Sequence, residues 1–364
     1  MKKRVGKKVV ALVLATVMAG ALLGCQSSAN ESGETKDTQT SEQTTKTEST
    51  TQEATEVVTT KDAADVKVAL LLPGTANDKG WNQEAYDGLE VIKSLGCETA
   101  YSEKVEASDY ESVFRGYADQ GYNVIFGHGT EFEDAAKAVA VDYPDTMFCI
   151  TSSDISQEPN VCSLQNLNNE QGFIAGVVAA QASQSKKVAA IGGMEIPSIQ
   201  SYIMGFEQGV EYVNNGTVAL TAYTGDFDDA TKVKEQANAF IDQGADIIAQ
   251  DADQAGLGLF EAVKDAKEGV YAIGSVKDQY DELPSRVLTS ATNQIGGAMA
   301  VAVEDYLKGE LTAQCYKFGI KEGVIGLADY HDCADVLTDD QKQFIKDTMD
   351  QISSGEITVK SAQK

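Results

Sequence analysis

Aromatic, amide and carboxylate side chains concentrate just after the first apolar run of the sequence. Asn77, Asp78, Trp81 and Asn82 lie close together there, and Trp81 is the only tryptophan in the chain. An aromatic plate with hydrogen-bonding neighbours suits a flat, polar small molecule. The alternative is that Trp81 only covers the end of a sheet, and this stretch alone does not separate the two interpretations.

Polar side chains also follow the other predicted strands, in both halves of the chain. Taken singly, such residues are as consistent with turns and helix caps as with ligand contacts. The carboxyl ends of parallel strands meet at one edge of a sheet, so the residues together favour a binding cleft. The candidate ligand contacts are Asn77, Asp78, Trp81, Asn82, Gly129, Thr130, Ser152, Phe227, Asp253, Asp278 and Asn293.

Motifs for catalysis are missing from the sequence. It contains no glycine-rich phosphate loop, no serine-hydrolase elbow and no histidine motif for a metal. Its two histidines, His128 and His331, are far apart, and His128 follows a strand where it is placed to touch a ligand. We therefore expect a binding protein with no catalytic residue, metal or cofactor, and an enzyme is a less favoured class.

Short apolar runs alternate with helical patterns along most of the chain. The predicted strands are Val66–Leu72, Cys97–Ser102, Val124–Gly127, Met147–Ser152, Val161–Leu164, Val188–Gly192, Val218–Tyr223, Ile247–Gln250, Val270–Ile273, Cys315–Ile320 and Val324–Leu327. The predicted helices are Trp81–Leu95, Tyr110–Gln120, Phe132–Tyr143, Asn169–Gln184, Ile199–Val213, Ala230–Gln243, Gly258–Ala266, Ile295–Leu307 and Asp339–Ile352. This alternation predicts an α/β protein with parallel sheets and right-handed crossovers.

An internal duplication divides the folded part in two. Lys67-Val-Ala-Leu-Leu recurs as Lys187-Val-Ala-Ala-Ile, and Asp119-Gln-Gly-Tyr-Asn-Val-Ile recurs as Asp242-Gln-Gly-Ala-Asp-Ile-Ile. Each match falls at the same place in the strand–helix alternation, so two copies of one α/β unit are the simplest explanation.

The domain boundaries follow from this duplication. We assign residues 66–180 to a first lobe and residues 181–286 to a second. Residues 287–320 are expected to return to the first lobe and residues 321–364 to the second. Several crossings between the lobes would make a hinge beside a cleft.

The N-terminal residues indicate export and anchoring. Residues 1–24 have a basic start and an apolar run that is typical of a signal peptide, and they end before Cys25. Leu22-Leu23-Gly24-Cys25 resembles the lipobox of bacterial lipoproteins, in which the cysteine becomes the first residue and is lipidated. Residues 25–65 are Thr, Ser, Glu, Gln and Lys with few apolar residues, which predicts a solvated tether. We expect a lipid-anchored protein on the extracytoplasmic face of the cell membrane.

Charge and cysteine content limit the partners and metal sites that the protein could have. The formal charge is −27, and this acidity argues against nucleic acid as a partner. Five cysteines follow Cys25, with no metal-binding spacing, and we expect free core thiols. A bridge between Cys315 and Cys333 is the alternative, and the chain is expected to be a monomer.

These residues and the lipobox together resemble the basic membrane protein (BMP) family, the substrate-binding lipoproteins of nucleoside-importing ABC transporters. Asp78-Lys79-Gly80-Trp81-Asn82-Gln83 is similar to the family's Asp-Lys-Ser-Phe-Asn-Gln, and Gly172-Phe-Ile-Ala-Gly176 to its Phe-Leu-Ala-Gly helix. Gly225-Asp-Phe-Asp-Asp resembles a second-lobe loop of the family. The resemblance implies the type I periplasmic-binding-protein fold, with two Rossmann-like lobes and a hinge.

The resemblance also implies roles for individual residues. Trp81 and Phe227 take the places of aromatics that stack on a purine, Asn82 that of a polar partner, and Asp278 that of a ligand-binding carboxylate. An ABC permease and a purine nucleoside or nucleobase would be the partners. A sugar-binding or signalling receptor of the same fold is the alternative, with a nucleoside-processing enzyme less favoured.

Three departures from the family bear on the ligand. Gly274-Ser-Val-Lys-Asp278 has one carboxylate fewer than the usual Gly-Val-Asp-x-Asp, and Asn293 stands where a lysine is usual. Thr151-Ser152 replaces an Ile-Asp pair. Gly80-Trp81 is similar to a branch that binds free purine bases, so a nucleobase such as adenine is an alternative to a nucleoside.

Overall fold

The computed structural model describes residues 61–363. In this range the strands are β1 (Lys67–Leu71), β2 (Glu98–Ser102), β3 (Val124–His128), β4 (Met147–Thr151), β5 (Val161–Asn166), β6 (Lys187–Gly192), β7 (Val218–Tyr223), β8 (Ile247–Asp251), β9 (Tyr271–Val276), β10 (Val287–Asn293), β11 (Cys315–Phe318) and β12 (Ile325–Leu327). The helices are α1 (Trp81–Ser94), α2 (Tyr110–Asp119), α3 (Glu133–Ala140), α4 (Asn168–Ala182), α5 (Pro197–Val213), α6 (Ala230–Asp242), α7 (Leu257–Asp265), α8 (Ile295–Lys308) and α9 (Asp339–Ser353). The predicted signal peptide, the predicted lipidation site Cys25 and the predicted tether as far as residue 60 lie outside the described residues.

Two six-stranded sheets repeat one topology. The first has the order β11-β5-β4-β3-β1-β2 and the second β12-β10-β9-β8-β6-β7. All pairings are parallel except that of β12 with β10. In each sheet the first strand of the unit lies between the second and the third, which places a topological switch point beside β1 and β3 in one lobe and beside β6 and β8 in the other.

Three segments connect the lobes, and two elements lie in a different lobe from the one expected. Helix α4 packs against α5, and its residues belong to the apolar core of the second lobe. Strand β10 pairs with β9 in the second sheet, so the chain returns to the first lobe only at α8, which packs on α1. The chain passes between lobes after β5, β10 and β11.

The reason for both differences is that burial patterns do not encode sheet membership. Strand β10 is buried along its whole length, as a central strand of either sheet would be. Helix α4 is apolar on nearly all sides, which is typical of a helix enclosed by protein rather than one that bridges two bodies.

Close helix packing in each lobe depends on glycine. A Cβ atom on Gly172 or Gly176 of α4 would lie 1.9 or 2.2 Å from a backbone oxygen of α5. A Cβ atom on Gly296 of α8 would lie 2.6 Å from the backbone oxygen of Glu84 and 2.8 Å from Gly88 Cα, both in α1. Backbones therefore touch directly at both helix pairs, and any larger side chain must force them apart.

The structure also bears on the expectation that the cysteines are free thiols. Cys97, Cys149, Cys162, Cys315 and Cys333 are all free. Cys315 lies in the first sheet and Cys333 in the second-lobe core, which excludes the Cys315–Cys333 bridge in this conformation.

Within residues 61–363 no helix has both the length and the apolar composition to span a bilayer.

Two adjacent glycines in α8 provide a matched test of this packing. Gly296→Ala should lower the free energy of unfolding by about 1–3 kcal/mol, because the methyl group meets α1. Gly297→Ala should raise it by up to about 1 kcal/mol, since a Cβ there has no neighbour within 4 Å. Urea unfolding of both variants measures the difference, and equal effects of the two substitutions would contradict the packing described.

Candidate ligand-binding site

A cavity of about 290 Å³ lies between the carboxyl ends of the two sheets. Both switch points contribute to it, as the topology requires of a site in an open parallel sheet. The wall from the first lobe consists of Pro73, Gly74, Trp81, Asn82, Gly129, Thr130, Glu131 and Ser152. The second lobe contributes Ile196, Ser198, Ile199, Phe227, Asp228, Asp251, Asp253 and Val276, and the segments between the lobes contribute Asn168 and Asn293.

Most of the predicted contacts meet in this cavity, and three do not. The cavity lining includes Trp81, Asn82, Gly129, Thr130, Ser152, Phe227, Asp253 and Asn293. Asn77 is exposed outside it, and Asp78 and Asp278 also lie outside the lining.

Asp78 supports the site from behind. Its carboxylate accepts backbone N–H groups from Gly80, Asn82 and Gln83 at 2.9–3.0 Å, and also the Asn82 side-chain amide at 2.6 Å. It therefore accepts the N–H groups that the first turn of α1 leaves without partners inside the helix, and it orients the Asn82 side chain. The sequence placed this residue in the right loop but could not distinguish a helix cap from a ligand contact.

Asp278 lies on the outer surface because β9 is longer than predicted. The strand continues to Val276, whose side chain lines the cavity, and the next residues turn away. Val276 has φ of +68°, an unusual conformation for a β-branched residue, at the point where the chain changes direction. Asp278 accepts a hydrogen bond from His331 Nε2 at 2.7 Å, and this partner raises the pKa of His331.

His128 lies behind Trp81 rather than in the cavity. The two rings stack with centroids 4.2 Å apart and planes inclined by 22°. Burial lowers the pKa of His128 to about 3, so the ring is neutral at ordinary pH. Nε2–H donates to the Trp81 carbonyl at 3.0 Å, which leaves Nδ1 to accept from the Thr151 hydroxyl at 2.8 Å. The histidine thus holds Trp81 from one side.

Phe227 is held from the opposite lobe by a capped loop. The Asp226 carboxylate pairs with Lys232 and accepts the N–H groups of Asp228 and Asp229, and these contacts lower the pKa of Asp226 to about 2. The Phe227 ring lies so close to Gly193 that a Cβ there would be 2.4 Å from it. Both aromatic residues therefore line the cavity from well-fixed positions.

Asp251 brings a buried carboxylate to the cavity wall. Its Oδ1 accepts the Ser275 hydroxyl at 3.0 Å, while its Oδ2 is buried without a hydrogen-bond partner. Burial raises the pKa of Asp251 to about 7. Asn168 Oδ1, also buried and in the lining, likewise lacks a partner. Both residues line the cavity, and these two oxygen atoms themselves are buried behind its surface.

Asp253 is a second carboxylate with an altered acidity. Its Oδ1 accepts the Trp81 N–H at 3.1 Å across the cleft. Burial, followed by repulsion from Asp78, raises the pKa of Asp253 to about 7, while the Trp81 hydrogen bond opposes the rise.

Ion pairs also join the two lobes. Lys277 contacts Asp87 and lies 3.7 Å from Glu84, and Lys79 lies 3.0 Å from Glu282. These pairs are partly exposed, so each contributes little by itself. With the Asp253 contact they define a closed arrangement of the lobes around the cavity.

Several lining residues were not among the predicted contacts. Asn168 comes from the inter-lobe segment, where the sequence has no distinctive motif. The Ile196–Ile199 stretch begins in Gly193-Met-Glu-Ile-Pro, which follows a predicted strand and resembles a second-lobe loop of the family. Asp251 and Asp228 follow predicted strands and lie next to the predicted contacts Asp253 and Phe227 in the sequence. That position could have indicated that they line the cavity.

The raised pKa of Asp251 predicts a pH-dependent effect of its removal. Between the ordinary value of 3.8 and about 7, the folded state holds more protons on this group than the unfolded state, so its contribution to stability declines as pH rises. Asp251→Asn should therefore raise the Tm of the ligand-free protein more at pH 8 than at pH 5. Asp281→Asn, at an exposed position, is the control, and the same Tm difference for Asp251→Asn at both values would contradict this account.

Known proteins resemble this chain over nearly all of its described residues. The family model described as "ABC transporter substrate-binding protein PnrA-like" (Bmp) matches residues 65–363. Basic membrane protein A2 of Borrelia garinii subsp. bavariensis is 30% identical over 71% of this chain and 79% of its own length. The ABC transporter nucleoside-binding protein BmpA of Lactococcus lactis subsp. cremoris is 29% identical over 83% of this chain and 91% of its own.

The fold is shared with solved structures. A solute-binding protein of an ABC transporter system from Aeropyrum pernix K1 has a TM-score of 0.74 and 23% identity, and covers 82% of this chain and 94% of its own. That likeness is one of fold, and it agrees with the predicted type I periplasmic-binding-protein architecture. Because the family model spans the whole described body, the chain belongs to the Bmp family of ABC transporter substrate-binding proteins.

Proposed function

We propose that this protein binds a purine nucleoside or nucleobase between its lobes and delivers it to an ABC permease. The observation that carries the proposal is the meeting of Trp81 and Phe227, from opposite lobes, in one cavity. Aromatic stacking on a base contributes about 1–3 kcal/mol in proteins that bind single-stranded nucleic acids, and two rings could anchor a purine without any metal.

The polar part of the lining supports a ligand with hydrogen-bond donors. Asp251, Asp253 and Asn168 bring carboxylate and amide groups to the lining, and an amino group, a ring N–H or a ribose hydroxyl could donate to them. Leaving such acceptors unpaired in a closed cavity costs free energy, so a ligand that pairs them gains affinity and selectivity. A flat heterocycle with N–H groups has both properties that the lining favours.

The choice between nucleoside and base depends on the wall near β9. Val276 contributes an apolar side chain there, and Asp278 is turned outward to His331. This wall offers less to a ribose than a carboxylate would, which supports the nucleobase alternative. The relative from Lactococcus lactis is named as nucleoside-binding, which supports a nucleoside.

Thermal-shift screening tests the proposal and its alternatives together. Purine nucleosides, free bases, pyrimidines, sugars and amino acids are added to the mature protein. A ligand present at one hundred times its Kd should stabilise the protein by about 2.7 kcal/mol. Stabilisation by a sugar alone would favour the sugar receptor, and the absence of any shift with purines would refute the proposal.

Removal of the indole should abolish most of the affinity. Trp81→Ala loses one stacking surface, worth about 1–3 kcal/mol, so Kd for the best purine should rise roughly 5- to 150-fold. Tyr101→Ala, which removes an exposed aromatic outside the cavity, is the matched control and should leave Kd unchanged. Isothermal titration calorimetry measures both, and equal Kd values for Trp81→Ala and the wild type would contradict stacking.

The membrane anchor is a separate part of the proposal. The lipobox-like Leu22-Leu23-Gly24-Cys25 supports lipidation of Cys25 and a position on the extracytoplasmic face. Cys25→Ala should release the protein from the detergent phase in Triton X-114 partitioning. Unchanged partitioning of this variant would refute the anchor and leave the ligand proposal intact.

A further inference from the structure

The first turn of α1 obtains its hydrogen-bond partners from both lobes. A helix N-terminus leaves its first N–H groups without partners inside the helix. Asp78, in the same lobe, accepts those of Gly80, Asn82 and Gln83. The remaining one, Trp81 N–H, donates to Asp253 Oδ1 of the second lobe at 3.1 Å.

Two local features make room for this contact. A Cβ on Gly80 would lie 2.3 Å from Asp253 Oδ1, so only glycine permits the approach. Asp253 itself adopts φ of +50°, a left-handed conformation that is uncommon outside glycine and directs the chain into the turn after β8.

The same turn also holds the second aromatic residue. Residues Asp253–Gly256 form one 3-10 turn, and Ala255 N–H donates to the Phe227 carbonyl at 2.7 Å. One short turn therefore contacts the backbone of Trp81 across the cleft and the backbone of Phe227 within its own lobe.

We propose that Asp253 is a positioning residue that caps α1 from the opposite lobe only when the lobes close. The contact fixes the backbone of Trp81 relative to that of Phe227 and so sets the spacing of the two rings. Opening breaks the hydrogen bond and returns the Trp81 N–H to water. The role in ligand affinity rests on the proposed function, whereas the cap itself does not.

Three variants separate a cap from a simple ligand contact. Asp253→Ala removes the acceptor, and at pH 8, above the pKa of about 7, loss of a hydrogen bond to the ionised carboxylate should raise Kd for inosine or adenine roughly 10- to 100-fold. Gly80→Ala leaves the carboxylate in place but blocks its approach, and should weaken binding to a similar extent. Asp253→Asn keeps an oxygen acceptor and should recover most of the loss, while Asp281→Ala on the outer surface is the control.

Hydrogen exchange at single amides gives a readout that general destabilisation would not move. In the wild type with inosine or adenine, the amides of residues 80 to 83 should all be protected. Asp253→Ala should expose only that of Trp81, because Asp78 still accepts the other three. Equal exchange at residue 81 in wild type and Asp253→Ala, with and without ligand, would overturn the cap.

The two proposals fail in different ways. If no purine binds but Trp81 N–H exchanges faster in Asp253→Ala than in the wild type, the ligand assignment falls and the cap stands. If purines bind with equal Kd to the wild type, Asp253→Ala and Gly80→Ala, the cap falls and the ligand assignment stands.

Discussion

The Asp78 carboxylate is the interaction on which the first-lobe half of the cavity depends. It collects three backbone N–H groups of α1 and the Asn82 amide, so its charge is satisfied without any nearby cation. A carboxylate at a helix N-terminus is stabilised by the helix dipole, and here it also fixes the direction in which the helix leaves the sheet. Trp81 occupies the first position of that helix, and His128 supports its ring from behind.

Three residues of the cavity wall have a strained backbone. Ser152, Asp253 and Val276 all have positive φ and all line the cavity, each at or just after the carboxyl end of a strand. Such conformations cost about 1–3 kcal/mol each and persist where surrounding contacts enforce them. Here a buried network from Gln250 and Gln279 through Ser275 to Asp251 braces the loops after β8 and β9. The strained backbone of these residues lowers the stability of the fold, whereas the network fixes the positions of the residues that face the ligand.

The sequence was sufficient for the duplication and for every described α-helix and strand except β10, because these depend on local periodicity. Position after a strand was enough to single out Trp81 and Phe227, which both line the cavity. The sequence was not sufficient for Asp278, since the strand ends at Val276, three residues later than predicted, and this changes which side chains face the cavity. The positions of α4 and β10 depend on which sheet offers a free edge or face, and that is a property of the assembled chain. Asn168 is the first residue of α4, so its place in the lining also depends on how the chain assembles.

The three connections between the lobes restrict how they can move. A single connection would allow one lobe to swivel freely on the other, whereas three side-by-side connections suppress twisting and leave rocking about one axis as the easy motion. Rocking about an axis at the back displaces the outer rim far more than the floor of the cavity. A permease that touches both rims could therefore sense occupancy as a distance between two surfaces, without any contact to the cargo.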